Sequence, residues 1–236
     1  MARKQATTLT EIAEAALVHI SAHGFKQSQM SDIAKRIGIS AGTLYLYVEN
    51  KEALLGLAST YLLDRTMLET APLPLKAVPR EKLVVLFTTT AQDRQKWPAL
   101  KQAIAMKASD AESFKAVGYD LYDLISDNRR AIWFFDRLAF ELPEFAAIQL
   151  NAMRGRTLKL LTELLAANGQ SSIAPDALAI IARSALEILA WSAMHRHADG
   201  LGAQPTDSLS EETIRDLAVL AFNGALQAAF KEKPAT

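Results

Sequence analysis

The chain reads as an all-α protein, with a three-helix head at the N-terminus and a larger helical body after it. Three observations predict this. Apolar residues return at helical spacing in nearly every segment, capping residues and glycines punctuate those segments, and no period-two run of β-branched residues competes with them. The chain has 236 residues, 50% of them hydrophobic, which is enough to fill a packed core.

Leu9, Ile12, Ala16, Leu17 and Ile20 share one face of a first helix, about residues 8–23, which Gly24 ends. Ser28 is placed to cap a second helix carrying Met30, Ile33, Ala34 and Ile37, which Gly38 stops. Ser40 caps a third, Ala41 to Tyr47. Asn50 caps a fourth, with Ala53, Leu54, Leu57, Ala58, Tyr61 and Leu62 at helical spacing, and the prolines of APLPLKAVP end it near Thr70. Beyond that joint, helices are expected near 79–93, 97–107, 111–126, 128–140, 143–167, 175–197 and 210–231, with ANGQSSIAP and ADGLGAQPTD as loops. No internal repeat of a solenoid type stands out.

Composition narrows the function. Lys plus Arg and Asp plus Glu both total 26, so a nucleic acid must be met by a local patch and not by net charge. The absence of cysteine excludes disulfides, thiolate nucleophiles and cysteine-bound zinc, and fits a reducing compartment; a cytoplasmic location is expected. MARKQATTLTE leads into an amphipathic pattern, unlike a signal peptide, and no apolar run is expected to reach the roughly 18 residues of a membrane span. No nucleophile elbow, Walker loop or HExxH motif is present, and Glu141 and Glu144 in ELPEF read as helix start signals. No enzyme, catalytic residue or cofactor is therefore expected, an all-α enzyme being the remote alternative. His195 and His197 are two apart, which points them in different directions and makes a poor metal site.

The second and third helices are short and joined by a glycine turn. Such a pair forms a helix-turn-helix, whose second helix enters the DNA major groove while the first crosses the backbone. A helical hairpin in an ordinary bundle shares the bare apolar spacing. Ala41 and Gly42 leave the third helix's backbone open to close approach, and its N-terminus presents N–H groups to phosphate. Six basic residues against four acidic ones in residues 1–51 give this region a net charge of +2.

The stretch GFKQSQMSDIAKRIGISAGTLYLYVENKEAL resembles the signature of the TetR family of bacterial transcriptional regulators, over about Leu9 to Leu62. The resemblance lies in the order and spacing of a glycine-aromatic pair, DIA, GIS, GTLY, an aromatic residue and K-x-x-L. Val48 stands where a phenylalanine is usual, and Tyr47 where histidine or tyrosine is common. The resemblance implies a sequence-specific regulator, expected to be a repressor, that binds an inverted repeat of double-stranded operator DNA as a homodimer. It also implies release by a small-molecule effector, control by a protein partner being the alternative. Residues 1–50 would be the DNA-binding domain, helix four (50–70) its link, and 71–236 the effector and dimerisation domain. By the same resemblance Tyr45 and Leu46 face the groove, with Thr43 able to hydrogen-bond a base edge or phosphate and Leu46 able to touch a thymine methyl. Ser28, Gln29, Tyr47 and Lys51 are placed to grip phosphates, around the bare start of the helix at Ser40, Ala41 and Gly42.

In the body, the segments 175–197 and 210–231 are rich in small residues, among them Ala179, Ala182, Ala185, Ala221, Gly224 and Ala228. Small side chains let helix axes approach, which suits either a four-helix interface with a second copy or burial within one chain. The resemblance implies the dimer. Tyr122, Trp133, Arg137, Asn151, Arg154 and Trp191 are candidate effector contacts, since a pocket needs a few polar groups amid apolar walls; surface ion pairing is the other reading of the arginines.

Overall fold

The computed structural model describes residues 7–63, 72–167, 173–197 and 208–230. Among these, every regular element is a helix, and the β-type feature is an isolated bridge between Val48 and Leu75. Contacts divide the chain into two units, Met1–Gln92 with Arg130–Gln149 and Asp93–Arg129 with Leu150–Thr236.

In the first unit, α1 (Leu9–His23) starts at a capping box: the Glu11 N–H donates to Thr8 Oγ1 at 3.1 Å and the Thr8 N–H to Glu11 Oε2 at 2.8 Å. Ile12, Leu17 and Ile20 bury the inner face of α1 against α4 (Lys51–Leu63) and α2 (Met30–Arg36). Helix α3 (Ala41–Leu44) packs on α2. The run Ala53 to Ser59 of α4 is buried without interruption, so α4 is a core helix with no polar face along that stretch. α5 (Arg80–Arg94) adds Leu83 and Phe87. The end of α7 (Ala111–Glu141) and α8 (Pro143–Asn151) add Phe135 and Phe145, whose rings lie 4.9 and 5.9 Å from Phe87 and 5.6 Å from each other.

In the second unit, α10 (Pro175–Ala193) packs between α9 (Arg154–Ala167) and α11 (Glu211–Gln227), and α6 (Pro98–Ala105) lies on α9. Ala182, Ala185 and Ala218 are buried here, so part of the small-residue stripe is used within the chain. Gly118 serves the same end on α7: a Cβ there would stand 3.0 Å from Phe222 and Val219.

Several expectations are corrected. The segments 111–126 and 128–140 form one helix of 31 residues. Asn128, near the expected boundary, donates Nδ2 back to the Leu124 carbonyl at 2.8 Å, a bond that fits inside a helix. The helix expected at 143–167 is two, α8 and α9, and the chain folds back so closely that a Cβ on Gly155 would lie 1.7 Å from the Leu150 carbonyl oxygen. α10 stops at Ala193, and His195–His197 form a 3₁₀ turn. Against the sequence expectation, one described stretch, Pro175–His197, is long and apolar enough to cross a membrane by length and composition, with mean hydropathy 1.5. Its Leu178, Ala182, Ala185, Leu186 and Leu189 are spent on the core of the second unit. The expected end of helix four at Thr70 and most of both expected loops lie outside the described residues.

Candidate nucleic-acid interface

The head is built from turns that the sequence forces. Gly24 ends α1 with φ +88°, a backbone conformation that side chains resist. Gly38, at φ +71°, makes the turn between α2 and α3, where the Ile39 N–H returns to the Ala34 carbonyl at 3.0 Å. Ser40 then caps α3, its Oγ accepting the Thr43 N–H at 3.0 Å and lying 2.8 Å from Thr43 Oγ1. α3 is shorter than expected. Its α-helical part ends at Leu44, and the next turn tightens, with the Leu46 N–H donating to the Thr43 carbonyl and Tyr47 N–H to the Leu44 carbonyl.

This turn sorts the side chains by direction. Leu44, Tyr47 and Val48 point into the core, while Tyr45 is 48% and Leu46 67% exposed. Tyr45 and Leu46 thus present apolar surface to solvent beside the buried Leu44, Tyr47 and Val48. Ser40, Gly42 and Gln29 are also exposed, and Ala41 and Thr43 half-buried. Nine of the ten expected contact residues thus fall on the continuous stretches 28–29 and 40–47, with Lys51 at the start of α4.

Two assignments change. Ser28 is buried, and its hydroxyl donates to the Gly24 carbonyl at 2.6 Å; α2 is capped by Gln29, whose N–H donates to Asp32 Oδ2 at 3.2 Å. Tyr47 is buried too, its hydroxyl donating to the Thr7 carbonyl at 3.0 Å, so neither side chain faces phosphate here. Lys51 is partly committed: its Nζ donates to the Lys26 carbonyl at 2.9 Å and sits 4.6 Å from the Phe25 ring centroid, leaving two ammonium protons. Lys26, Lys35 and Arg36, singled out in the sequence only for their charge, are exposed on and before α2.

Side chains of the first unit frame the head. Arg80 donates to both Glu52 oxygens, at 2.7 and 3.2 Å, and to Glu144 at 3.1 Å. These bonds, Glu52 first, raise its pKa. Arg130 pairs with Glu14 of α1. Glu49 accepts the Ala77 N–H at 2.8 Å, which together with Lys76 lowers its pKa. His19 stands 3.9 Å from Asp32 and 4.5 Å, ring to ring, from His23; burial, then the neighbouring His23, holds its pKa down.

The expected effector contacts divide between the two units. Trp133 and Arg137 belong to the first unit and Tyr122, Asn151, Arg154 and Trp191 to the second. Asn151 is exposed, and Trp191 is 43% exposed on α10. Of the six, Tyr122 lines a cleft of about 320 Å³ with Asp123, Arg129, His197, Glu211 and Arg215. Ion pairs line that cleft. Arg215 Nε donates to Asp123 at 2.6 Å, Arg196 pairs with Glu211, and Arg129 Nη1 lies 3.3 Å from His197 Nε2. Burial, then Arg196 and Arg129, keep His197 below its ordinary pKa.

Residues 12–58 match bacterial regulatory proteins of the tetR family. The fatty acid metabolism regulator protein of Bacillus subtilis (strain 168) is 49% identical over 45 residues, which are 19% of this chain and 23% of that protein. A solved structure, of the fatty acid degradation regulator FadR from Bacillus halodurans, aligns over 99% of this chain and 100% of that one, at 18% identity and a TM-score of 0.45. The chain thus carries a tetR-type helix-turn-helix domain at its N-terminus, followed by a larger helical region.

Proposed function

We propose that the protein is a dimeric transcriptional regulator, a repressor that binds operator DNA through residues 1–50 and is released by a small molecule held in the helical body. The observation that carries the DNA reading is the exposure of Tyr45 and Leu46 at the tip of a helix-turn-helix whose Met30, Ile33, Leu44, Tyr47 and Val48 are buried. The relative's role in fatty acid metabolism attaches to 45 residues, 19% of this chain, and so supports the regulator reading more than any one effector. The protein acts by binding and not by catalysis, in the cytoplasm where its operator lies.

The exposed rows of α10 and α11 support a homodimer. Ile180, Ser184, Glu187 and Trp191 form one row of α10, and Leu217, Leu220, Ala221, Gly224 and Ala228 an outward row of α11. Ile180, Leu217 and Leu220 are each more than half exposed. Apolar rows flanked by small residues, on helices whose other faces are already buried, suit a four-helix interface with a second copy.

The test is selection of duplexes from a random library, then titration of the selected and scrambled DNAs at several salt concentrations. The selected duplex should contain an inverted repeat with half-sites about one helical turn apart, and bind at least about a thousandfold more tightly than the scrambled one. Equal affinity for every duplex would overturn the proposal.

A further inference from the structure

The turn between α1 and α2 is held by residues far from the helix-turn-helix in sequence. Glu141, the last residue of α7, accepts the Lys26 N–H at 2.7 Å through Oε2, across 115 positions of chain. Its other oxygen occupies the space a side chain at Gly24 would need: a Cβ there would stand 1.8 Å from Glu141 Oε1. Lys51, from the start of α4, donates to the carbonyl of the same Lys26 at 2.9 Å. Both main-chain groups of Lys26 are therefore fixed by side chains. Arg137, one turn back on α7, has its Nε 3.9 Å from Glu141 Oε1, and the Glu141 side chain is only 16% exposed. A carboxylate withdrawn from water is unfavourable unless it is paired, and here it accepts a backbone amide and has a guanidinium beside it at ion-pair and not hydrogen-bond distance.

We propose that Glu141 is a positioning residue for DNA binding: through the Lys26 amide it sets where α2 begins, and with α2 the direction in which Tyr45 and Leu46 are offered. The proposal rests on the DNA-binding reading above. Its distinguishing feature is a sign. Removing an acidic group that acts by charge alone strengthens binding to every duplex. Removing one that positions the head weakens binding to the operator and leaves random DNA unaffected or more tightly held.

The experiment compares the full-length wild type with Glu141→Ala and Glu141→Gln, titrating the duplex selected by the wild type and a scrambled duplex. Hydrogen exchange of the Lys26 amide is measured alongside, without DNA. Glu141→Ala should lose about tenfold or more in operator affinity, the scale of a charged hydrogen bond, with the salt slope unchanged because no phosphate contact is removed. Glu141→Gln keeps an acceptor oxygen and should recover part of the operator-to-scrambled ratio, and the Lys26 amide should exchange faster in the alanine variant. An unchanged ratio in the folded variants, or equal loss for both duplexes, overturns the proposal. If the alanine variant does not fold, the glutamine variant decides: a lowered ratio supports positioning and an unchanged one refutes it. If the wild type selects no operator, the DNA-binding reading fails. Lys26 exchange then still tests the clamp, and protection unchanged in Glu141→Ala refutes it.

Discussion

Tyr45 and Lys51 sit six residues apart, and the structure gives them different work. Tyr45 and Leu46 hold no partner in the chain that hides them, so Tyr45→Ala and Leu46→Ala should cost little stability while relaxing discrimination between selected and scrambled duplexes. Lys51→Ala removes a cation and the bond to the Lys26 carbonyl, so it should weaken all duplexes and lower the salt slope by about one. Titration across salt concentrations separates the two patterns. Gly24→Ala tests the turn itself. At φ +88° with Glu141 in the way, the added methyl should destabilise the fold by about 2–3 kcal/mol, read as a lower urea midpoint. Glu211 offers a pH test in the second unit, because its hydrogen bond to Arg196, first among the causes, lowers its pKa. A carboxyl lowered in the folded state contributes stability above its unfolded pKa and loses it as pH falls through the folded value. The gap in melting temperature between wild type and Glu211→Gln should thus be widest near neutral pH and close below the ordinary value of 4.5.

Helix α11 shows how one element divides its faces. Ile214, Ala218, Val219, Phe222 and Leu226 are buried within the chain, while Leu217, Leu220, Ala221 and Gly224 are exposed. A Cβ on Gly224 would meet nothing within 4 Å in its own chain, so Gly224→Arg leaves the protomer's packing alone and improves helix propensity by roughly 0.5–1 kcal/mol. If the outward row is the dimer interface, this variant should keep its helical signal and melting behaviour, yet run as a monomer by light scattering at micromolar concentration. A wild-type monomer under the same conditions would refute the interface. Sequence period made α1 and α2 legible, because each buries one face. It failed where tertiary contacts decide: the expected boundary between 126 and 128 lies inside α7, and nothing in period foretells the fold-back at Gly155. The same limit applies at the site. Tyr45 and Leu46, assigned to the groove by the family resemblance, are exposed, whereas Ser28 and Tyr47 turn inward to the Gly24 and Thr7 carbonyls, and Glu141 lies in a proline-flanked segment that reads as a start signal.

At the scale of the whole molecule, α7 runs through both units, as the ends of α5 and α8 also do. Its Ala111–Arg129 portion belongs to the second unit and its Arg130–Glu141 portion to the first, where Arg130 pairs with Glu14 and Glu141 holds the Lys26 amide. A ligand in the body changes DNA affinity only if it binds the DNA-competent and released shapes unequally; tight binding without preference shifts nothing. To move a dimer from about 99:1 to 1:99 takes roughly 5.5 kcal/mol of differential binding, or about half of that at each of two equal sites. An apolar or aromatic small molecule with one charged anchor can supply that much, since burying a single large side chain's worth of apolar surface contributes about 1.5–3 kcal/mol. The coupling must also be reciprocal. A compound retained by the protein from metabolite extract, identified by mass spectrometry, should therefore weaken operator binding by the same factor by which saturating operator weakens its own binding. That factor should fall in Glu141→Ala if α7 carries the coupling, because the variant no longer ties the end of α7 to the head. A retained compound whose two affinities are both indifferent to the other ligand is not the effector. If every retained compound behaves so, control passes to a protein partner.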